Sequence, residues 1–66
     1  MLVGIVRSFN NENGYGFIEA DTGEHIFVHH SAIEMEGFRT LNPGQKVMFE
    51  VAIGDRGPEA KNVRTM

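Results

Sequence analysis

The sequence predicts an all-β fold: a small closed or partly closed barrel of five short strands, with one short helical turn after strand 3. Three observations carry this. Apolar residues recur with a period of two in short runs, turn residues separate the runs, and no stretch sustains a helical period beyond one turn. Closure also leaves no exposed sheet edge.

Leu2 to Phe9 reads as the first strand, with β-branched Val3, Ile5 and Val6 and with Gly4 permitting a bend or a close backbone approach. Asn10 to Gly14, NNENG, is a turn. Asn13-Gly14 predicts a type I′ hairpin with positive φ at both residues, which pairs the first two strands antiparallel. The second strand runs from Tyr15 to about Ala20, and Asp21-Thr22-Gly23 turns into the third, Glu24 to His29, completing a meander. Ser31-Ala32-Ile33-Glu34 has capping-box spacing, in which Ser31 accepts from a backbone N–H and Glu34 reaches back, enough to start one helical turn. Met35 to Gly44 holds no period and reads as a long crossing loop ending in a turn at Pro43-Gly44. Lys46 to Ile53 alternates Val47, Phe49, Val51 and Ile53 against Met48, Glu50 and Ala52, a strand with one buried face. GDRGP, residues 54–58, is a further turn. Glu59 to Arg64 is the last strand, where Ala60 and Val63 are out of phase and call for a bulge.

Sixty-six residues leave room for one domain, residues 1–66, with a small core and a stability of a few kcal/mol. The chain has no cysteine, which excludes a disulfide framework and a thiolate metal site. MLVGIVRSFN turns polar at Arg7, too early for a signal peptide or a spanning helix, so a cytoplasmic location is expected. Six Lys/Arg against nine Asp/Glu give a net charge of −3, and Arg7 stands alone among the first thirty residues against Glu12, Glu19, Asp21 and Glu24. Phosphate neutralisation drives nucleic-acid affinity of the ordinary basic kind, so any nucleic-acid reading here rests on stacking instead.

The stretch from Gly14 to His30, GYGFIEADTGEHIFVHH, organises the rest. Strand alternation puts Tyr15, Phe17, Phe27 and His29 on one face and Ile18, Ile26 and Val28 on the other. One small core cannot hide both faces, so the aromatic one must meet something else.

GYGFIEADTGEHIFVHHSAI, together with GFRTLNPGQKVMFEV and RGPEAKNV, resembles the bacterial cold-shock proteins, the cold-shock domain family, over essentially the whole chain. Gly14 to Ile18 resembles the family's first ribonucleoprotein motif and Ile26 to His29 the second. The resemblance implies a five-stranded antiparallel barrel of the OB type and sequence-tolerant binding of single-stranded RNA and single-stranded DNA, with an RNA-chaperone role in cold adaptation. Tyr15, Phe17 and Phe27 are then the stacking platform, with His29 beside them. Phe9, His30 and Phe38 match further positions that the family uses around this surface, and Arg7 and Arg56 match its basic or polar contacts. Ser8 stands where the family usually has a stacking tryptophan, Asn13 replaces a usual lysine, His30 a usual phenylalanine, and His25 a usual acidic residue that helps read a base edge. No cofactor and no enzymatic activity are implied. A monomer is the expected state, with a strand-exchanged dimer as the alternative.

Plainer readings stand beside these. Aromatics on small sheets are usually core, which applies to Phe9, Phe27 and above all Phe49. Phe38 reads equally as a loop plug and Arg56 as a solvated turn residue. On one strand His25 and His29 lie about 13 Å apart at ~3.3 Å per residue, too far to share a metal ion. Gly14-Tyr15-Gly16 is only a fragment of a dinucleotide fingerprint, since Glu19 takes the place of the third glycine and a strand follows. Ser31 beside His30 is expected to form no catalytic pair, because adjacent strand residues point apart. The rival function is a protein-interaction module on the same barrel.

Overall fold

The computed structural model describes residues 1–34 and 40–66. Among these residues five strands follow in order, β1 (Leu2–Asn10), β2 (Tyr15–Ala20), β3 (His25–His29), β4 (Lys46–Gly54) and β5 (Gly57–Thr65), with one 3₁₀ turn, His30–Ala32, after β3. They close into a barrel of the OB type in the spatial order β1-β2-β3-β5-β4. Four of the pairings are antiparallel, and β3 meets β5 in parallel at Phe27 and Glu59. This one departure from an all-antiparallel barrel has a simple cause: directions cannot alternate around a ring with an odd number of strands. A second parallel bridge, Ile33 to Val63, and the hydrogen bond from Glu34 N–H to Val63 O (2.8 Å) extend the closure past the 3₁₀ turn.

The core is the inner face of the alternating runs. Val6, Ile18, Val28, Val47, Phe49 and Val63 are fully buried, with Ile26, Ile33 and Leu41 nearly so. Leu41 lies in the stretch read as crossing loop; no periodicity announced it. The rest of that stretch, with Phe38, lies partly outside the described residues, and its end turns at Pro43-Gly44, where Gln45 N–H donates to Asn42 O (3.1 Å).

Two bulges adjust the alternation. On β1, Val6 faces Ile18 and Ser8 faces Phe17, so Arg7 is the extra residue and both Arg7 and Ser8 turn outward. On β5, Met48 faces Arg64 while Glu50 faces Lys61, leaving Asn62 and Val63 opposite Phe49 alone. Asn62 has φ +52°, and its side-chain amide donates to Glu50 Oε1 (3.0 Å). This is the bulge expected from the spacing of Ala60 and Val63, and it is what brings both into the core.

Three local expectations differ from the structure. The Asn13-Gly14 turn is not type I′: only Gly14 of the pair has positive φ (+76°). The Asn10 side chain overrides the dipeptide preference by accepting from the N–H groups of Glu12 (2.9 Å) and Asn13 (3.0 Å), while Gly14 N–H donates to Asn10 O (2.7 Å). Residues 11–14 therefore form a wider loop. Replacing Asn10 by alanine leaves two loop donors to water and lowers stability by about 1 kcal/mol in urea unfolding; an unchanged midpoint would mean that the loop holds without its side-chain acceptor.

The capping box does not form either. His29 Nδ1 accepts from Ser31 N–H (3.3 Å) and lies 2.9 Å from Ser31 Oγ, while Glu34 pairs with Arg64 Nε (2.6 Å) across the barrel. That carboxylate raises the Arg64 guanidinium above its ordinary pKa, by hydrogen bond first and charge second. Finally, β4 is buried only in its first half. Val47 and Phe49 are enclosed, but Val51 is half-exposed and Ile53 is 80% exposed, because β1 pairs with β4 only as far as Phe49 and the β4–β5 hairpin runs on beyond the barrel.

Candidate nucleic-acid interface

The register of β1, β2 and β3 lays the outer residues in rows. Ser8, Phe17, Phe27 and Glu59 form one row across four strands, Asn10, Tyr15 and His29 a second, and Ile5, Glu19 and His25 a third. The aromatic side chains expected to share a face do share it. Tyr15 stacks on Phe27 with centroids 5.8 Å apart, and Phe17 meets Phe27 edge-on at 6.0 Å. Ile18, Ile26 and Val28 occupy the core behind them, which is why the rings stay outside.

The rings are not equivalent. Tyr15 and Phe17 are 39% and 44% exposed, whereas Phe27 is 8% exposed. Phe27 lies between the other two, and the Arg56 guanidinium covers it 4.9 Å from the ring centroid. Arg56 reaches it from the two-residue turn Asp55-Arg56, closed by the facing pair Gly54 and Gly57. Tyr15, Phe27, His29, Asn13 and Arg56 line a cleft of about 360 Å³, open at the surface and floored by rings. Its lining combines aromatic faces with polar and cationic side chains.

The histidines divide between the two ends of β3. His29 and His30 pack ring to ring at 4.3 Å, and His30 N–H donates to Gly14 O (2.7 Å). Gly14 is needed there on two counts, its positive φ and a Cβ that would come within 2.3 Å of the His30 ring. Ser31, read beside His30, bonds to His29 instead, because residues 30–32 wind into the 3₁₀ turn rather than continue the strand. His25 stands at the other end, 3.8 Å from Glu19 Oε1.

Phe9 is partly buried and packs against the core, the plainer of its two readings. Arg7 and Ser8 lie on the outer face beside Phe17, and Asn13 on the rim of the cleft, while Phe38 is outside the described residues. Arg7 is not a free cation, since its Nε donates to Glu19 Oε1 at 2.8 Å. Glu19 was missed by reasoning from residue type. Its signal was the same alternation that picked out Tyr15 and Phe17, carried one step further along β2.

The fold and its outer face define a class, the small closed β-barrel of the OB type, here with two aromatic rings, Tyr15 and Phe17, exposed on one strand. The comparisons make this particular. Residues 2–66 match the model of the 'Cold-shock' DNA-binding domain, and the chain belongs to that family of nucleic-acid-binding domains. It is 58% identical over 60 residues to cold shock protein CspB of Bacillus caldolyticus, covering 91% of each chain. It is 56% identical over 63 residues to cold shock-like protein CspLB of Listeria monocytogenes, covering 96% of each. Among solved structures, the Drosophila Unr CSD456 chain matches with a TM-score of 0.78 at 20% identity, over 98% of this chain and 26% of that one, a likeness of fold. No helix among the described residues is long and apolar enough to cross a membrane.

Proposed function

We propose that this chain binds single-stranded RNA and DNA by base stacking and acts as an RNA chaperone, regulating transcription or translation through RNA structure during cold adaptation. The observation that carries the reading is the exposure of Tyr15 and Phe17 on a rigid sheet whose opposite face is already filled. A stacked base gains roughly 1–3 kcal/mol on such a ring whatever its identity. The mechanism is passive: binding unpaired strands shifts weak helices toward the open form by mass action, with no cofactor and no catalysis. His29, His30, Asn13 and Arg56 border the platform as polar contacts, and Phe27 joins it once a base displaces or packs upon Arg56. The protein works as a monomeric domain over residues 1–66, in the cytoplasm.

The test is fluorescence anisotropy of a labelled pyrimidine-rich hexamer titrated with protein, since the chain has no tryptophan to quench. Binding is expected with a shallow salt dependence, a slope of about −1 to −2 in log K against log salt at ~0.7 per phosphate contact, because Arg7 is engaged by Glu19 and Arg56 by Phe27. A steep slope would reveal a basic track elsewhere. No binding at high micromolar protein in low salt would overturn the reading in favour of a protein-interaction module.

A further inference from the structure

Among the described residues Phe17 is the most exposed of the Phe and Tyr rings on the outer face, and a carboxylate and a guanidinium stand on that face near it. Across β1 its neighbour is Ser8, too short to wall the ring off. Two residues along β2, on the same outer face, stands Glu19. The β1 bulge turns Arg7 toward it, and the Arg7 Nε–Glu19 Oε1 bond of 2.8 Å holds the carboxylate in place. His25 Nε2 approaches the same oxygen at 3.8 Å, while Glu19 Oε2 accepts no hydrogen bond among the described residues. A base lying on Phe17 therefore turns an edge toward a carboxylate and a guanidinium held side by side.

The four bases differ in what they bring to that pair. Guanine alone presents two adjacent donors, N1–H and N2–H, followed on the same edge by the acceptor O6. Two carboxylate oxygens match the donors, and the guanidinium matches O6. Thymine and uracil offer one donor between two carbonyls, which places an oxygen against an oxygen. Cytosine and adenine offer an amino group next to a ring-nitrogen acceptor, again a single donor for the carboxylate.

We propose that Glu19, positioned by Arg7, is a specificity-determining residue of this face and selects guanine at the base stacked on Phe17. The inference rests on the stacking reading above and adds a preferred base to it. It is the carboxylate, not a bare cation, that does the reading.

The experiment compares three labelled DNA heptamers in low salt: all thymine, thymine with one central guanine, and thymine with one central hypoxanthine, which is guanine without the N2 amine. The guanine heptamer is expected to bind about tenfold tighter than the hypoxanthine one, the worth of one charge-assisted hydrogen bond. Glu19→Gln should bring that ratio to about one, whatever it does to binding overall. If the all-thymine heptamer binds and the wild-type ratio is one, the guanine inference fails while the stacking reading stands. A ratio that survives in Glu19→Gln also overturns the inference, because guanine is then read by another group. If none of the heptamers binds, the stacking reading fails and the inference with it.

Discussion

Phe49→Ala leaves the chain largely unfolded at 25 °C. Among the described residues Phe49 is the largest fully buried side chain, set on β4 opposite the two-residue bulge of β5 and facing Leu2 on β1. Truncating a buried phenylalanine costs about 3–5 kcal/mol, the lost transfer energy plus the cavity left behind. A domain of this size rarely has more than about 3–5 kcal/mol to lose. Neither a disulfide nor a thiolate-bound metal compensates, since the chain contains no cysteine. Far-UV circular dichroism during urea titration is the measurement. A cooperative transition with its midpoint only slightly lowered would show that Leu2 and the bulge close over the cavity.

Phe17→Ala is expected to weaken binding of the pyrimidine hexamer by roughly 1–3 kcal/mol, about five- to 150-fold. It is a cleaner probe than Phe27→Ala. Phe17 is 44% exposed and its loss opens no cavity, whereas Phe27 is 8% exposed and its removal also takes support from Tyr15 and Arg56. A loss of affinity in Phe27→Ala therefore mixes contact with stability. The opposite change on the same row is Ser8→Trp, which places a ring directly across from Phe17 and should tighten binding by a comparable factor. If Phe17→Ala binds like the parent and Ser8→Trp changes nothing, the ligand lies elsewhere.

Much of this architecture is legible in the sequence. Alternation at Ile18, Ile26 and Val28 identified the buried face, and the same alternation put Tyr15, Phe17 and His29 outside. The phase break between Ala60 and Val63 correctly announced a bulge. Less legible was whatever depended on competition between partners. Asn13-Gly14 favours one turn, yet Asn10, three residues earlier, captures the loop donors and imposes another. Ser31 and Glu34 have the spacing of a cap, yet each finds a different partner, His29 and Arg64. Phe9 had two readings, core and rim of the binding surface; the bulge at Arg7 shifts the phase of β1 and packs it, partly buried, against the core.

By itself the sequence determined the number and order of the strands, the single turn after β3, and a two-faced ribbon with rings on one side. Those follow from local chemistry, because a period of two and the preferences of turn residues are properties of neighbouring residues. Only the tertiary structure decided which apolar positions another element covers. Val51 and Ile53 continue the pattern of Val47 and Phe49 but lie past the end of β1, so they remain in water. Phe27 belongs to the outer face and is nonetheless nearly hidden, because Arg56 arrives from a hairpin twenty-nine residues away in sequence. Alternation states which way a side chain points; what it meets there is decided by ring closure and chain path, which no local pattern encodes.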